Sequence, residues 1–307
     1  MPVLSQTALA HIGAQHVTAP TPQSRSSRDS AMAQFLDQAR TATEQFHDRR
    51  AAIANGYRRL GMDFPSMGEH WVNPGIVLAG RFDASRPAML SYAVIDGKPV
   101  LTGLVYAVTL APGEAPPPVP GDVGMWHEHN GTVDEESMLP EHHGDGAGQH
   151  ITSSDTAGTR LAILHAWTGV VNPAGIFAAE NWALPFARLR LATPMPLPLG
   201  AARALSLLTG GREYYLALAN ADQPDANRAN SDPVSIALDE CARVEAPIIA
   251  RARATGVLAP SDVAQLEAAW NAALSRIASE VGPLVAKRLN GGHEIISVTS
   301  PKQNPAQ

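Results

Sequence analysis

One cysteine, Cys241, stands in 307 residues. An intrachain disulfide is therefore excluded, and so are the paired-cysteine motifs of zinc ribbons, thiol oxidoreductases and c-type haem attachment. No apolar run approaches the roughly 20 residues needed to cross a bilayer. Excess positive charge is also missing: the net charge is −6 and the pI about 6.0, which offers no general attraction to nucleic acid or an anionic membrane. No GxGxxG follows a strand-like run, and GxxxxGK[ST] and GxSxG are both absent, which removes support for nucleotide binding and for a nucleophile elbow. Met1 to Ser30 lacks the basic head and apolar stretch of a secretory signal, so the expected compartment is the cytoplasm.

The hydrophobic fraction of 45% and charged fraction of 17% are those of a globular chain able to bury a sizeable core. Residues 1–28 read as a disordered tail rich in Ser, Thr, Gln and Pro. Asp29 or Ser30 can then cap a helix running to about Leu60, with Phe35, Ala39, Ala42, Phe46, Ile53, Tyr57 and Leu60 on one stripe.

From Gly75 strand-like runs take over: Ile76-Val77-Leu78, Ala88 to Ile95, Val100 to Leu110, Met125 to Asn130 and Arg160 to Thr168. Asp96-Gly97 is a hairpin signal. Pro112 to Pro120 reads as a stiff connection and Gly144 to Gly158 as a loop. Asn172-Pro173-Ala174-Gly175 reads as a turn. Phe186 to Leu191 reads as a strand. Ala201 to Ala221, Ser235 to Ala254 with a kink at Pro247, and a final run opening at Pro260 read as helices. The expected organisation is a tail over 1–28, a helix plus β-rich core over 29–192, a helical region over 193–290 and a loose tail over 291–307. The fold class is α+β, with a central sheet or barrel-like core flanked by N-terminal and C-terminal helices.

Chemistry concentrates in the β-rich part. On a strand, residues i and i+2 share a face, so His127 and His129 can present two imidazoles as the jaw of one metal site. His165, in another apolar strand-like run, can supply a third and leave a position for water or substrate. Glu69, His70 and Glu128 are candidates for acid–base work or for orienting a ligand. His142, His143 and His150 lie in a Gly-rich loop, a poor platform for a site. Trp71, Trp126, Trp167 and Trp182, with Asn181, neighbour these residues and can line a pocket for a small organic substrate, although a plain core use of four Trp competes with that reading.

Neutral imidazoles suit Zn, Fe or Cu without choosing among them. The favoured reading is a metal-dependent enzyme on a small molecule: a hydrolase or lyase with a metal-activated water, or an oxidoreductase. A non-catalytic metal- or ligand-binding protein, and a structural homo-oligomer without metal, stand as alternatives. His127-Glu128-His129 followed by Asp134 resembles the first metal motif of cupins. The order of the second block, with His165 before Asn172-Pro173-Ala174-Gly175, departs from that pattern.

A wider resemblance rests on Ala42 to Tyr57 (A-T-E-Q-F-H-D-R-R-A-A-I-A-N-G-Y), Met67-Gly68-Glu69-His70-Trp71-Val72-Asn73-Pro74, Pro87 to Tyr92, Leu101 to Tyr106 and His165-Ala166-Trp167 to Asn181. In that order they resemble a group of bacterial proteins, often secreted and of no established activity. Its marks are a helix ending in Gly-Tyr and a His-x-Trp…Asn-Pro-x-Gly-x-Phe block. The resemblance covers roughly residues 40–185 and implies organisation rather than chemistry. The chain departs from the group in lacking a signal peptide and paired cysteines.

Overall fold

A computed structural model describes residues 22–120, 126–129, 160–220 and 231–291. Helix α1 (Pro22–Thr43) runs into a 3₁₀ turn over Glu44–His47 and a short α2 (Arg49–Ala54). Helix thus reaches into the segment read as tail, and it stops well before Leu60. The break has a local cause. Asp48 is extended, and its side chain accepts from the Arg50 amide at 2.9 Å, which caps a new helix instead of continuing the old one. Gly56, at φ 92°, then turns the chain out of α2.

Strands β1 (Arg58–Phe64) and β2 (Gly68–Val72) follow, then α3 (Pro74–Ala79). The apolar run Ile76-Val77-Leu78, expected as a strand, is therefore helical. Asn73 accepts from the Ile76 amide, Pro74 opens the first turn and Gly80 closes the helix at φ 61°. These end signals outweigh the β preference of two branched residues.

Strands β3 (Met89–Ile95) and β4 (Lys98–Leu110) form the hairpin expected at Asp96-Gly97, both of whose φ angles are positive. Strands β5 (His127–His129) and β6 (Arg160–Ala166) complete one antiparallel sheet in the order β1-β2-β3-β4-β6-β5. The sheet is open, so the barrel-like alternative is not the one adopted. The chain is α+β, as its alternation of patterns indicates.

The segment read as a strand after Pro185 is instead a short helix, α4 (Leu184–Arg188), with Pro185 in its first turn. Helices α5 (Leu199–Ser206), α6 (Gly211–Ala219), α7 (Ser231–Thr255), α8 (Pro260–Glu280) and α9 (Pro283–Leu289) follow. No helix among the described residues is long and apolar enough to cross a membrane.

The two sheet faces have different tasks. Trp71, Leu90, Tyr92, Leu101, Leu104, Tyr106 and Leu164 pack on Phe35, Ala39 and Phe46 from the N-terminal helices and on Tyr57 in the turn after them. Alternation puts Met89, Val105, Ala107 and Ile163 on the other face, beneath Ile76 and Val77 of α3. The core of the C-terminal helices takes in Phe64, Met67, Trp167 and Trp182, so those helices pack directly against the β1–β2 turn and the loop after β6. Arg188 of α4 ties the two parts with a two-pronged ion pair to Asp63 of β1, at 2.6 and 2.7 Å.

Candidate functional site

On the face carrying Met89 and Val105, three histidines meet. The His165 ring centre lies 5.3 Å from that of His127 and 5.7 Å from that of His70. The register explains the first contact: His127 pairs with Ile163, two residues from His165 and on the same face. For the second, His70 pairs with Ser91 on β3, Ser91 with Gly103 on β4, and β4 carries Val105 opposite His165. His70 and His165 are thus offset by two residues along β4 and approach each other diagonally across the intervening strands. All three histidines are buried, with exposures of 1% for His70, 2% for His165 and 8% for His127.

Aromatic rings enclose the trio. Phe64 stands 5.5 Å from His70 and Trp167 stands 5.9 Å from His165. Trp167 is held by its indole N–H, which donates to the Ala178 carbonyl at 2.6 Å, and by Gly103, where an added Cβ would lie 3.2 Å from the indole. The sheet is deformed at this point. The β3–β4 register shifts between Ser91 and Tyr92, leaving Thr102 as an extra residue on β4. The Thr102 carbonyl accepts from the Gly169 and Val170 amides, and its hydroxyl donates to the Ser91 carbonyl at 3.1 Å. Ser91 itself is 1% exposed, and its Oγ has no hydrogen-bond partner among the described residues. A buried hydroxyl in that condition costs about 1–3 kcal/mol.

Other residues singled out in the sequence lie elsewhere. Glu69 and Trp71 point to the opposite face. Glu69 accepts from Arg49 at 2.9 Å and from the Trp71 indole at 3.1 Å, with Arg59 at 3.7 Å, while Arg49 stacks on the Trp71 ring. This is a structural ion-pair cluster beneath α2, separated from His70 by the sheet itself. Trp126 is buried on that same side, its indole donating to the Pro117 carbonyl. Asn181 is consumed by backbone, accepting from the Ala183 amide and donating to the Val170 carbonyl. Trp182 donates to Glu180 and carries Arg203 over its ring. Of the named pocket residues, Trp167 has its ring against a histidine of the trio, His165. Glu128 and His129 sit on β5 opposite Ala162 and Leu161 in register. His142, His143, His150 and Asp134 lie outside the described residues.

Ser91 and Gly103 escaped the sequence reading, although a signal was there. Strict alternation from Met89 puts Ser91, the one polar residue in Met89-Leu90-Ser91-Tyr92, on the face shared with His70. No group of three or more His, Cys, Asp or Glu side chains among the described residues is arranged as a metal cage. The ring-centre separations of 5.3 and 5.7 Å are those of tilted and edge-on aromatic contacts. Two imidazoles bound at about 2 Å to one tetrahedral ion have ring centres roughly 5 Å apart. Comparison with family models, with curated proteins and with solved structures gives no match.

Proposed function

We propose that the His70–His165–His127 trio is a transition-metal centre, and that the protein is a metal-dependent enzyme acting on a small organic molecule. The observation that carries this reading is the convergence of three buried imidazoles from three strands at ring separations of 5.3 and 5.7 Å. Neutral imidazole is the commonest protein ligand for Zn, Fe and Cu. His165, which touches both neighbours, is the central ligand. His70 and His127 are the ligands on either side of it, and His129 is the further candidate from β5. His127, on the edge strand and the most exposed of the three, marks the side from which a substrate reaches the ion. Zinc would activate a water for hydrolysis or hydration, whereas iron or copper would support oxidation.

The near-complete burial of His70 and His165 favours one competing reading, a non-catalytic protein that holds its ion with a filled coordination sphere. Elemental analysis of untagged protein prepared without chelators separates these readings from a simple packed core. The expected result is close to one metal ion per chain, lost in His165→Ala. Protein that carries no metal and takes none up on titration with Zn, Fe or Cu overturns the proposal. An ion that accepts an added small ligand supports the enzyme over the closed holder.

A further inference from the structure

We infer that Glu245 and Cys241, one turn apart on α7, form a proton-controlled latch. While Glu245 holds its proton this turn stays packed and the thiol is shielded; loss of the proton opens the turn and uncovers Cys241. The pair is sealed in the helical core, with Glu245 0% and Cys241 2% exposed. The thiol donates to Glu245 Oε1 at 3.1 Å, whereas Oε2 has no hydrogen-bond partner among the described residues. A carboxylate in that condition is far costlier to bury than the neutral acid, so the packed helix selects the protonated form.

The elements packed on α7 do not offset that cost. They are α5, α6, α8 and the 3₁₀ turn Leu207–Thr209. From α6, Tyr215 is near enough to feel the Glu245 charge, but burial keeps its hydroxyl protonated and hydrogen-bonded to Ser206 of α5 at 3.2 Å. Glu180, which also acts on Tyr215, brings charge of the same sign. Arg203 of α5 is spent on the Trp182 ring and Asn290. The other charged groups at these contacts pair among themselves: Arg212 with Asp239, Arg276 with Glu240 and Arg251 with Asp262. Burial thus pushes Glu245 up to about 8. The same stretch of α7 is also weak in its backbone, because Pro247 has no N–H for the Arg243 carbonyl. A helix weakened there can open locally while the rest stays folded. Opening lets Glu245 ionise near its ordinary value of about 4.3, so from there to about 8 each pH unit favours the open form about tenfold.

The test alkylates the full chain with iodoacetamide between pH 6 and 7.5 and follows Cys241, the one cysteine, by mass spectrometry. An exposed thiol reacts about tenfold faster per pH unit in this range, because only its thiolate attacks. Wild type should gain a second factor of about ten from the opening, and so rise about a hundredfold per unit. Glu245→Gln, which has no proton to lose, should rise only about tenfold per unit. A tenfold rise in wild type overturns the latch without recourse to any variant, and so do equal slopes in the two proteins. Dilute urea, below the unfolding transition, tells local opening from global unfolding. Opening one turn exposes little surface, so the wild-type rate should change little with urea. A rate that climbs with urea as steeply as global unfolding overturns the latch as well.

Discussion

His70 and His165 belong to strands separated by two others, yet their ring centres lie 5.7 Å apart. Three strand intervals span about 14 Å of sheet. His70 lies in register with Ser91 and Gly103, whereas His165 lies opposite Val105, two residues along β4 from Gly103, so the two imidazoles approach each other diagonally across β3 and β4. Substitution separates the two ligand sets open to the proposed metal centre. His165→Ala should abolish metal retention in either case. His70→Ala should also abolish it if the trio is the site, whereas His129→Ala should do so if the i, i+2 pair on β5 is the jaw. Metal content of the purified variants gives the answer, and retention in all three would remove the site.

Gly68 stands at φ 79°, and a Cβ built there would lie 2.4 Å from the Tyr92 carbonyl oxygen. Backbone strain and collision act together, because the carbonyl belongs to the neighbouring strand and has no side chain to swing away. Gly68→Ala should cost at least about 2 kcal/mol in urea denaturation. The effect should extend to metal binding, since Gly68 sets the register that delivers His70. Wild-type stability in this variant would show the β2–β3 contact to be more yielding than its geometry suggests.

Arg188 has a side chain only 4% exposed, bound to Asp63 by two parallel hydrogen bonds and to the Thr209 carbonyl by a third. Removing Arg188 strands Asp63, whose side chain is 23% exposed and so partly solvated, and Arg188→Ala should destabilise the fold by about 2–3 kcal/mol. Lysine cannot reproduce the fork, and Arg188→Lys should recover only a minor part. A double-mutant cycle with Asp63→Asn, read by thermal melting, should show strong coupling, and additive effects would contradict the pairing.

Glu245 is fully buried on α7, where its carboxyl accepts from the Cys241 thiol at 3.1 Å, and burial pushes its pKa up to about 8. In the unfolded chain an ordinary glutamate releases its proton near 4.3. Below that value both states hold the proton and Glu245 adds no pH dependence. Between it and about 8 only the unfolded chain releases the proton, so stability falls by roughly 1.4 kcal/mol per pH unit, and above 8 the loss is complete. Glu245→Gln should therefore flatten the profile between pH 5 and 9 and be more stable than wild type at pH 8. Guanidinium melts across that range provide the check, and parallel profiles for the two proteins would refute it.

Much of the scaffold was legible locally. The β3–β4 hairpin follows from Asp96-Gly97 between two β-rich runs, and α8 follows from an apolar stripe behind Pro260. Both depend on near neighbours in sequence, where turn chemistry and periodicity act. Local signals also explain two misreadings, because the Asp48 cap splits the N-terminal helix and Asn73-Pro74 with Gly80 makes α3 a helix. The end signals of those residues outweigh the apolar periodicity around them. The conversion of Arg58–Phe64 to a strand is different. Its hydrogen bonds are supplied by β2, so its conformation is a consequence of pairing.

The candidate site divides along the same line. By itself the sequence determined which ligand types exist and that they crowd into the β-rich segment. It also determined, through the period of two, that Glu69 and His70 must face opposite ways once that segment is a strand. Only the tertiary structure decided that His70 joins His165 while Glu69 turns to Arg49 and Trp71. That choice needs the strand order β2-β3-β4-β6 and the register across each pair. Strand order is set by the burial of whole faces against the helices, a property of the assembled sheet that no short stretch of sequence contains.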